Sequence, residues 1–184
     1  IAKLSFSLKL ADRGKSLPKL RNNIRNGDSI IDDKNIEPKA FVWEEQFRDI
    51  INNGGFDIII GNPPWVSIKG KQKSVNLSDK ELNYLLNRYP CDRYRPNLFE
   101  MFVWRCLGLF KKDGYFSFIV PDRLCYNAQF INLRKNILDN FSLKKLWFKP
   151  LFEGVISDNI VFIVKNEKSS KNSDIEIAEY PSKE

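Results

Sequence analysis

The chain contains no histidine. That absence removes imidazole as a general base, excludes a Ser-His-Asp triad and excludes any His-ligated metal. Cysteine is scarce: Cys91, Cys106 and Cys125 are scattered without metal-ligand spacing, and an odd number in such a chain points to free thiols rather than a disulfide framework. Long apolar runs are missing too. No stretch approaches the roughly 20 apolar residues that span a bilayer, and the N-terminus lacks the basic, apolar and small-residue order of a signal peptide. The expectation is a cytoplasmic chain that does not engage a membrane. Position 1 is isoleucine rather than methionine, and Leu4, Leu8 and Ala11 follow at helical spacing, so the chain reads as entering a helix part-way along.

What is present supports one folded domain. The 184 residues, 42% of them hydrophobic, suffice for a core of useful size. A formal net charge of +7 favours a polyanionic partner, although a solvated basic surface accounts for the same charge.

The most informative stretch is residues 56–65, in which a short apolar run stops at Gly61 and is followed by Asn62-Pro63-Pro64-Trp65. Ile58, Ile59 and Ile60 are consecutive and β-branched, which suits a strand buried on both faces of a parallel sheet. Two successive prolines fix φ and remove two backbone donors, leaving a stiff loop rich in free acceptors. Asn62 adds a carbonyl and an amide donor, and Trp65 adds a flat apolar face. Such a loop could grip a planar group bearing an exocyclic amine, such as adenine.

Around it the pattern alternates. Residues 24–31 read as a short strand ending in Asp28, and residues 44–53 as a helix. Residues 97–112 read as a helix with Lys111 and Lys112 at its C-terminal end and Gly114 closing it. Residues 115–120 read as a strand, and residues 128–140 as a helix burying Ile131, Ile137 and Leu138. Two further strands cover 143–149 and 159–164, joined by a link too short for a crossover helix and therefore antiparallel to each other. This is an α/β pattern, in which ligands sit at the carboxyl ends of strands. Residues 66–96 break the rhythm: Ser78 and Glu81 make a capping-box pattern, and Lys69, Arg93 and Arg95 are interleaved with Tyr84, Tyr89 and Tyr94. Cations beside aromatics suit phosphates and unstacked bases, while a mobile surface loop explains the segment equally well. Residues 166–184 form a polar tail or the start of a following domain, with a possible strand at 175–177.

Residues 24–31, 56–65 and 114–121, taken in order, resemble the amino-methyltransferases. The nearest group is the gamma-type N6-adenine DNA methyltransferases of restriction-modification systems, especially fused type IIG or type I-like enzymes. The resemblance covers most of residues 1–165. It implies a Rossmann-like, S-adenosylmethionine-dependent methyltransferase fold with a mixed sheet, here incomplete because its first strands are missing. It also implies that Asp28, with Ser29 beside it, binds the adenine of the methyl donor. Asn62 and the Pro63 carbonyl would accept from the target amine, Pro64 would lie near the donor, and Trp65 would stack on a flipped adenine. Phe152 would contact that base from another side. On their own, Asp28 reads as a turn residue and Phe152 as a core phenylalanine.

The chain departs from that family's pattern in two places. A glycine-rich loop and a following acidic residue normally precede the helix that opens this chain, and neither is present; no sizeable target-recognition region follows residue 165. The expected partners are double-stranded DNA, the missing N-terminal part of the same polypeptide, and possible target-recognition and nuclease domains. The isolated chain is expected to bind S-adenosylmethionine weakly or not at all and to be inactive. Two other functions stay open: amino-methylation of glutamine or RNA by the same tetrad, and a non-catalytic nucleic-acid-binding fragment.

Overall fold

A computed structural model of the chain describes residues 2–11, 20–70, 75–150, 158–169 and 174–179. Its centre is a five-stranded mixed sheet in the order β1-β2-β4-β3-β5. Strand β1 (Phe56–Gly61) runs parallel to β2 (Phe110–Pro121), with Ile58 opposite Tyr115 and Gly61 opposite Phe118. Strands β3 (Ser142–Phe148) and β4 (Asn159–Lys165) are antiparallel to each other, as their short link requires, and β4 is antiparallel to β2. Strand β5 (Glu176–Glu179) lies parallel to β3 at the far edge.

Alternation along β2 and β4 builds the main core. Phe116, Phe118 and Val120 from β2, with Ile160, Phe162 and Val164 from β4, turn to one face. Helices α5 (Leu98–Cys106) and α7 (Ile131–Asn140) add Phe99, Val103, Leu133 and Ile137 to it. Phe116 meets Phe118 and Phe162 edge to face at centroid distances of 4.6 and 5.4 Å. A second core joins Ile30 and Ile31 to Ile68, to Leu85 and Tyr89 of the insertion, and to Leu98 and Met101 of α5. Helix α4 (Asp79–Arg88) begins with the full capping box, the Ser78 hydroxyl accepting from the Glu81 N–H and the Glu81 carboxylate accepting from the Ser78 N–H. A mobile loop therefore does not describe residues 75–96, which are anchored in this second core through Leu85 and Tyr89.

Several expectations need correction. Strand β1 is not buried on both faces: Ile58 and Ile60 are 66% and 81% exposed, and only Ile59 packs on the main core. The reason is position, since among the described residues β1 lies at the sheet edge and pairs with β2 alone. Residues 24–31 form no strand. The Asp28 N–H donates to the Lys39 carbonyl at 2.7 Å and its carbonyl accepts from the Phe41 N–H at 3.1 Å, so a single bridge to Ala40 takes the place of a ladder. The helix expected over 44–53 is split at Phe47 into α2 (Trp43–Gln46) and α3 (Arg48–Asn52). Lys111, Lys112 and Gly114 lie within β2 rather than at the end of α5: the helix stops at Cys106, and residues 111–114 form the irregularity between the Phe56–Phe110 and Ile58–Tyr115 pairs. In α7, Leu133 and Ile137 face inward while Ile131 and Leu138 are more than half exposed. The opening helix, α1 (Ala2–Lys9), and the short α6 (Arg123–Tyr126) complete the set.

Glycine is required where the chain enters β1. Gly55 has φ of 115°, and a Cβ there would lie 2.4 Å from the Leu109 carbonyl oxygen. That close approach lets the Phe56 N–H donate to the same carbonyl at 2.9 Å and fixes the start of β1 against β2.

Candidate active site at the tip of β1

The tetrad leaves the sheet at the carboxyl end of β1. Gly61 makes room there: a Cβ would stand 2.9 Å from the Phe118 ring, so the ring packs beneath the strand tip. Asn62 and Pro64 are exposed, Pro63 is buried and Trp65 is half-buried. The Trp65 indole N–H donates to the Ile119 carbonyl of β2 at 3.3 Å, and the ring packs on the main core. Trp65 is thus pinned at one end, which orders the loop. Among the described residues nothing hydrogen-bonds to the Asn62 side chain, so its amide oxygen is open to an incoming donor.

Asp28 is half-buried, and its Oδ1 accepts from the Ile30 N–H at 3.2 Å. This is the turn geometry that the residue suggests on its own. Burial pushes its carboxyl up, against the N–H groups of Ile30 and Ile31, which favour the charged form. Its second oxygen receives no hydrogen bond from a described side chain, so the carboxylate keeps an acceptor for an exocyclic amine. The Ser29 carbonyl accepts from the Trp43 indole at 3.0 Å, and Trp43 meets Phe56 edge to face at 5.8 Å. Asp28 and the tetrad share no hydrogen bond; Ile30, Ile31 and Ile68 join their two loops in the second core. Phe152 lies outside the described residues.

Three features escaped sequence reasoning. The first is Asp32, on which Tyr84, Arg88 and Arg105 converge: the Tyr84 hydroxyl donates to Oδ1, and the two guanidinium groups lie 3.3 and 3.2 Å from Oδ2. Tyr84 and Arg88 are one turn apart on α4, but Asp32 and Arg105 are 73 residues apart in sequence, with no local pattern to connect them. The second is a cleft of about 810 Å³ beside the tetrad, where Lys69, Tyr94 and Arg95 of the insertion face Arg123, Asn127 and Gln129.

The third is Glu100, 1% exposed in the first turn of α5, with Oε2 unpartnered among the described residues. Burial, and then the neighbouring Asp92 charge, push its carboxyl up to about 7. As pH rises through the ordinary carboxylate range toward 7, the unfolded chain releases this proton and the folded chain keeps it, so the group's contribution to stability falls. Glu100→Gln is therefore expected to raise stability above pH 7 by on the order of 3 kcal/mol and to flatten the loss between pH 5 and 7. Urea titrations at a series of pH values check this; an unchanged slope refutes it.

The mixed sheet with an acceptor-rich loop at a strand tip is a Rossmann-like α/β fold, of the kind found in S-adenosylmethionine-dependent methyltransferases. Similar solved structures include a candidate class I S-adenosylmethionine-dependent methyltransferase of Listeria monocytogenes, with TM-score 0.50 and 17% identity over 68% of this chain and 37% of that one. The DrdV–DNA complex gives TM-score 0.52 and 16% identity over 75% of this chain and 16% of that one. Residues 1–150 match the model of the Eco57I restriction-modification methylases, and the chain belongs to that family.

Among curated relatives, RM.MjaORFECS2P of Methanocaldococcus jannaschii, assigned as a type II restriction enzyme and methyltransferase, is 33% identical over 74% of this chain and 11% of its own length. The type II restriction enzyme and methyltransferase RM.Eco57I of Escherichia coli is 29% identical over 71% of this chain and 13% of its own. The chain thus spans about an eighth of the length of these two relatives. No helix among the described residues is long and apolar enough to cross a membrane.

Proposed function

We propose that the chain is part of a site-specific adenine-N6 DNA methyltransferase of a restriction-modification system, and that it carries the site for the target base. The observation that carries this reading is the open Asn62 amide at the tip of β1, beside the stiff Pro63-Pro64 backbone and the pinned Trp65. S-Adenosylmethionine supplies the methyl group as an electrophilic sulfonium. The half-buried Asp28 carboxylate, with an acceptor to spare, fits the exocyclic amine of that donor's adenine, and Ser29 lies beside it. Pro64 borders the donor side of the loop.

On the acceptor side, adenine N6 is a weak nucleophile because its lone pair is delocalised into the ring. The Asn62 side-chain oxygen and the Pro63 carbonyl accept from the two N6 protons, favour a pyramidal nitrogen and stabilise the positive charge that grows on it. No general base is needed beforehand, in keeping with a sequence without histidine. The base reaches the loop only by leaving the duplex, at a cost of a few kcal/mol that stacking on Trp65 partly offsets; Phe152 is the candidate for a second contact. The relatives' size supports a larger polypeptide; an upstream portion, target-recognition and nuclease regions and a cytoplasmic setting are part of the same proposal.

The test offers labelled S-adenosylmethionine to the complete polypeptide together with genomic DNA, total RNA and a glutamine-bearing release factor. N6-methyladenine in DNA is expected. Label in RNA or in the protein glutamine overturns the DNA assignment, and label nowhere favours a non-catalytic nucleic-acid-binding fragment.

A further inference from the structure

We propose that the cleft beside the tetrad seats a phosphodiester segment of the target DNA strand, held by Lys69, Arg95 and Arg123, with Tyr94 offering its ring to a base. This rests on the reading of the chain as acting on DNA and names the part of the substrate that the cleft takes.

The charge of the cleft is one-sided. Among the described residues Lys69, Arg95 and Arg123 line it, and no aspartate or glutamate does. Among the described residues none of the three is in an ion pair, whereas Lys34, Lys111, Lys144, Lys145, Lys149 and Lys165 all are. Three cations facing one space without ion-pair partners among the described residues repel each other unless an anion lies between them, and a polyanionic strand is the partner that rewards this arrangement.

The walls are also built rather than incidental. The Gln129 side-chain amide donates across the cleft to the Arg95 carbonyl at 2.6 Å, tying the insertion to the segment after α6. The Lys69 ammonium donates to the Arg93 carbonyl at 3.3 Å. The Asp92 carboxylate accepts from the N–H groups of Tyr94 and Arg95 at 2.9 and 2.6 Å, which shapes the turn that carries both side chains. The Arg123 guanidinium lies 5.7 Å from the Phe99 ring centroid, against the main core, with the Asp122 charge near it but in no ion pair with it.

Size and position decide the ligand. About 810 Å³ is far more than one phosphate ion fills, and falls in the range that holds ligands of several linked groups. Tyr94 is 79% exposed at the rim, with the Arg95 guanidinium 5.7 Å from its ring centroid, and the exposed ring is what the proposal offers to an unstacked base. Ser67, on the cleft wall, lies two residues beyond Trp65, and Arg123 lies two residues beyond the end of β2, whose Ile119 carbonyl holds the Trp65 indole. In this proposal a strand delivering its base to the tetrad runs its sugar-phosphate backbone past these cations.

The experiment measures binding of the complete polypeptide to a short duplex with one central unpaired adenine, over a series of salt concentrations. The proteins compared are the wild type, Lys69→Gln/Arg95→Gln and the triple variant with Arg123→Gln, each checked for an unchanged thermal melt. Each neutralised cation is expected to lower the slope of log affinity against log salt by about 0.7–0.9, with the triple variant binding on the order of 10²-fold more weakly near 0.1 M salt. Uncharged methylphosphonates flanking the unpaired adenine should weaken the wild type and leave the triple variant unchanged. If Arg123→Gln disturbs the fold, the double variant and the methylphosphonate comparison still decide. Wild-type binding with a normal salt slope that neither change alters overturns the cleft assignment and leaves the DNA reading standing. A wild type without measurable affinity for the duplex, or one that prefers the RNA of the same sequence, overturns both.

Discussion

Asn62→Ala in the complete polypeptide is expected to slow methyl transfer to DNA by at least about 10²–10³-fold, the usual cost of removing one positioned polar group from a developing charge. Affinity for the duplex should stay within about twofold, because Asn62 touches the reacting amine and no phosphate in the proposed reading. Stability should hardly change, since the residue is exposed and bonds to no described neighbour. Single-turnover transfer from labelled donor, alongside gel-shift binding, separates these quantities. Asn62→Asp is the sharper companion: it keeps an oxygen acceptor and adds a negative charge, so it should retain more activity than alanine. Normal turnover by Asn62→Ala would remove the tetrad from the chemistry and leave the fold without an assigned reaction.

The second large effect falls on stability. Asp32→Ala is expected to cost about 3 kcal/mol, because it strands a buried cation. The Arg105 side chain is only 9% exposed, and its Nε and Nη2 already lack partners among the described residues, so Asp32 is the carboxylate that answers its charge. The same change frees Tyr84 and Arg88 of α4 from the 28–36 segment, loosening the insertion from the loop that holds Asp28. Burial works against the charged form of Asp32, but the Tyr84 hydroxyl and then Arg105 and Arg88 outweigh it and hold the carboxyl below its usual range. Its contribution to stability is therefore complete above the ordinary carboxylate range and is lost as pH falls through the lowered value. Glu100 acts in the opposite sense and at higher pH. Denaturant titrations should show Asp32→Ala flattening the acid limb of the pH–stability profile, and Glu100→Gln flattening the neutral limb. A loss below about 1 kcal/mol in Asp32→Ala, with the acid limb intact, refutes the hub.

Residues 56–65 declare much of the design on their own. Proline chemistry dictates a stiff loop wherever it sits, and the β-branched run before it dictates a strand, so the strand and its polar tip were legible from ten letters. The Ser78–Glu81 box and the antiparallel closing strands were legible for the same reason: each is a local rule whose partners lie within a few residues or are forced by a short link. The burial of β1 was misread because three isoleucines specify a strand but not its neighbours; being at the sheet edge left Ile58 and Ile60 in the open. The strand expected at Asp28 failed likewise, its backbone groups being taken by residues 39–41.

By itself, then, the sequence determined the chemistry on offer: no imidazole, a proline-stiffened acceptor loop on a β-branched strand, and a basic, aromatic-rich insertion. Tertiary structure alone decided how these meet. It sank the insertion onto a second core, converged Tyr84, Arg88 and Arg105 on Asp32, buried Glu100, and set Lys69 and Arg95 across a cleft from Arg123. The physical reason is range. Backbone preference and capping act over a few residues, whereas charge pairing and burial depend on distances in space between residues that the sequence holds tens of positions apart.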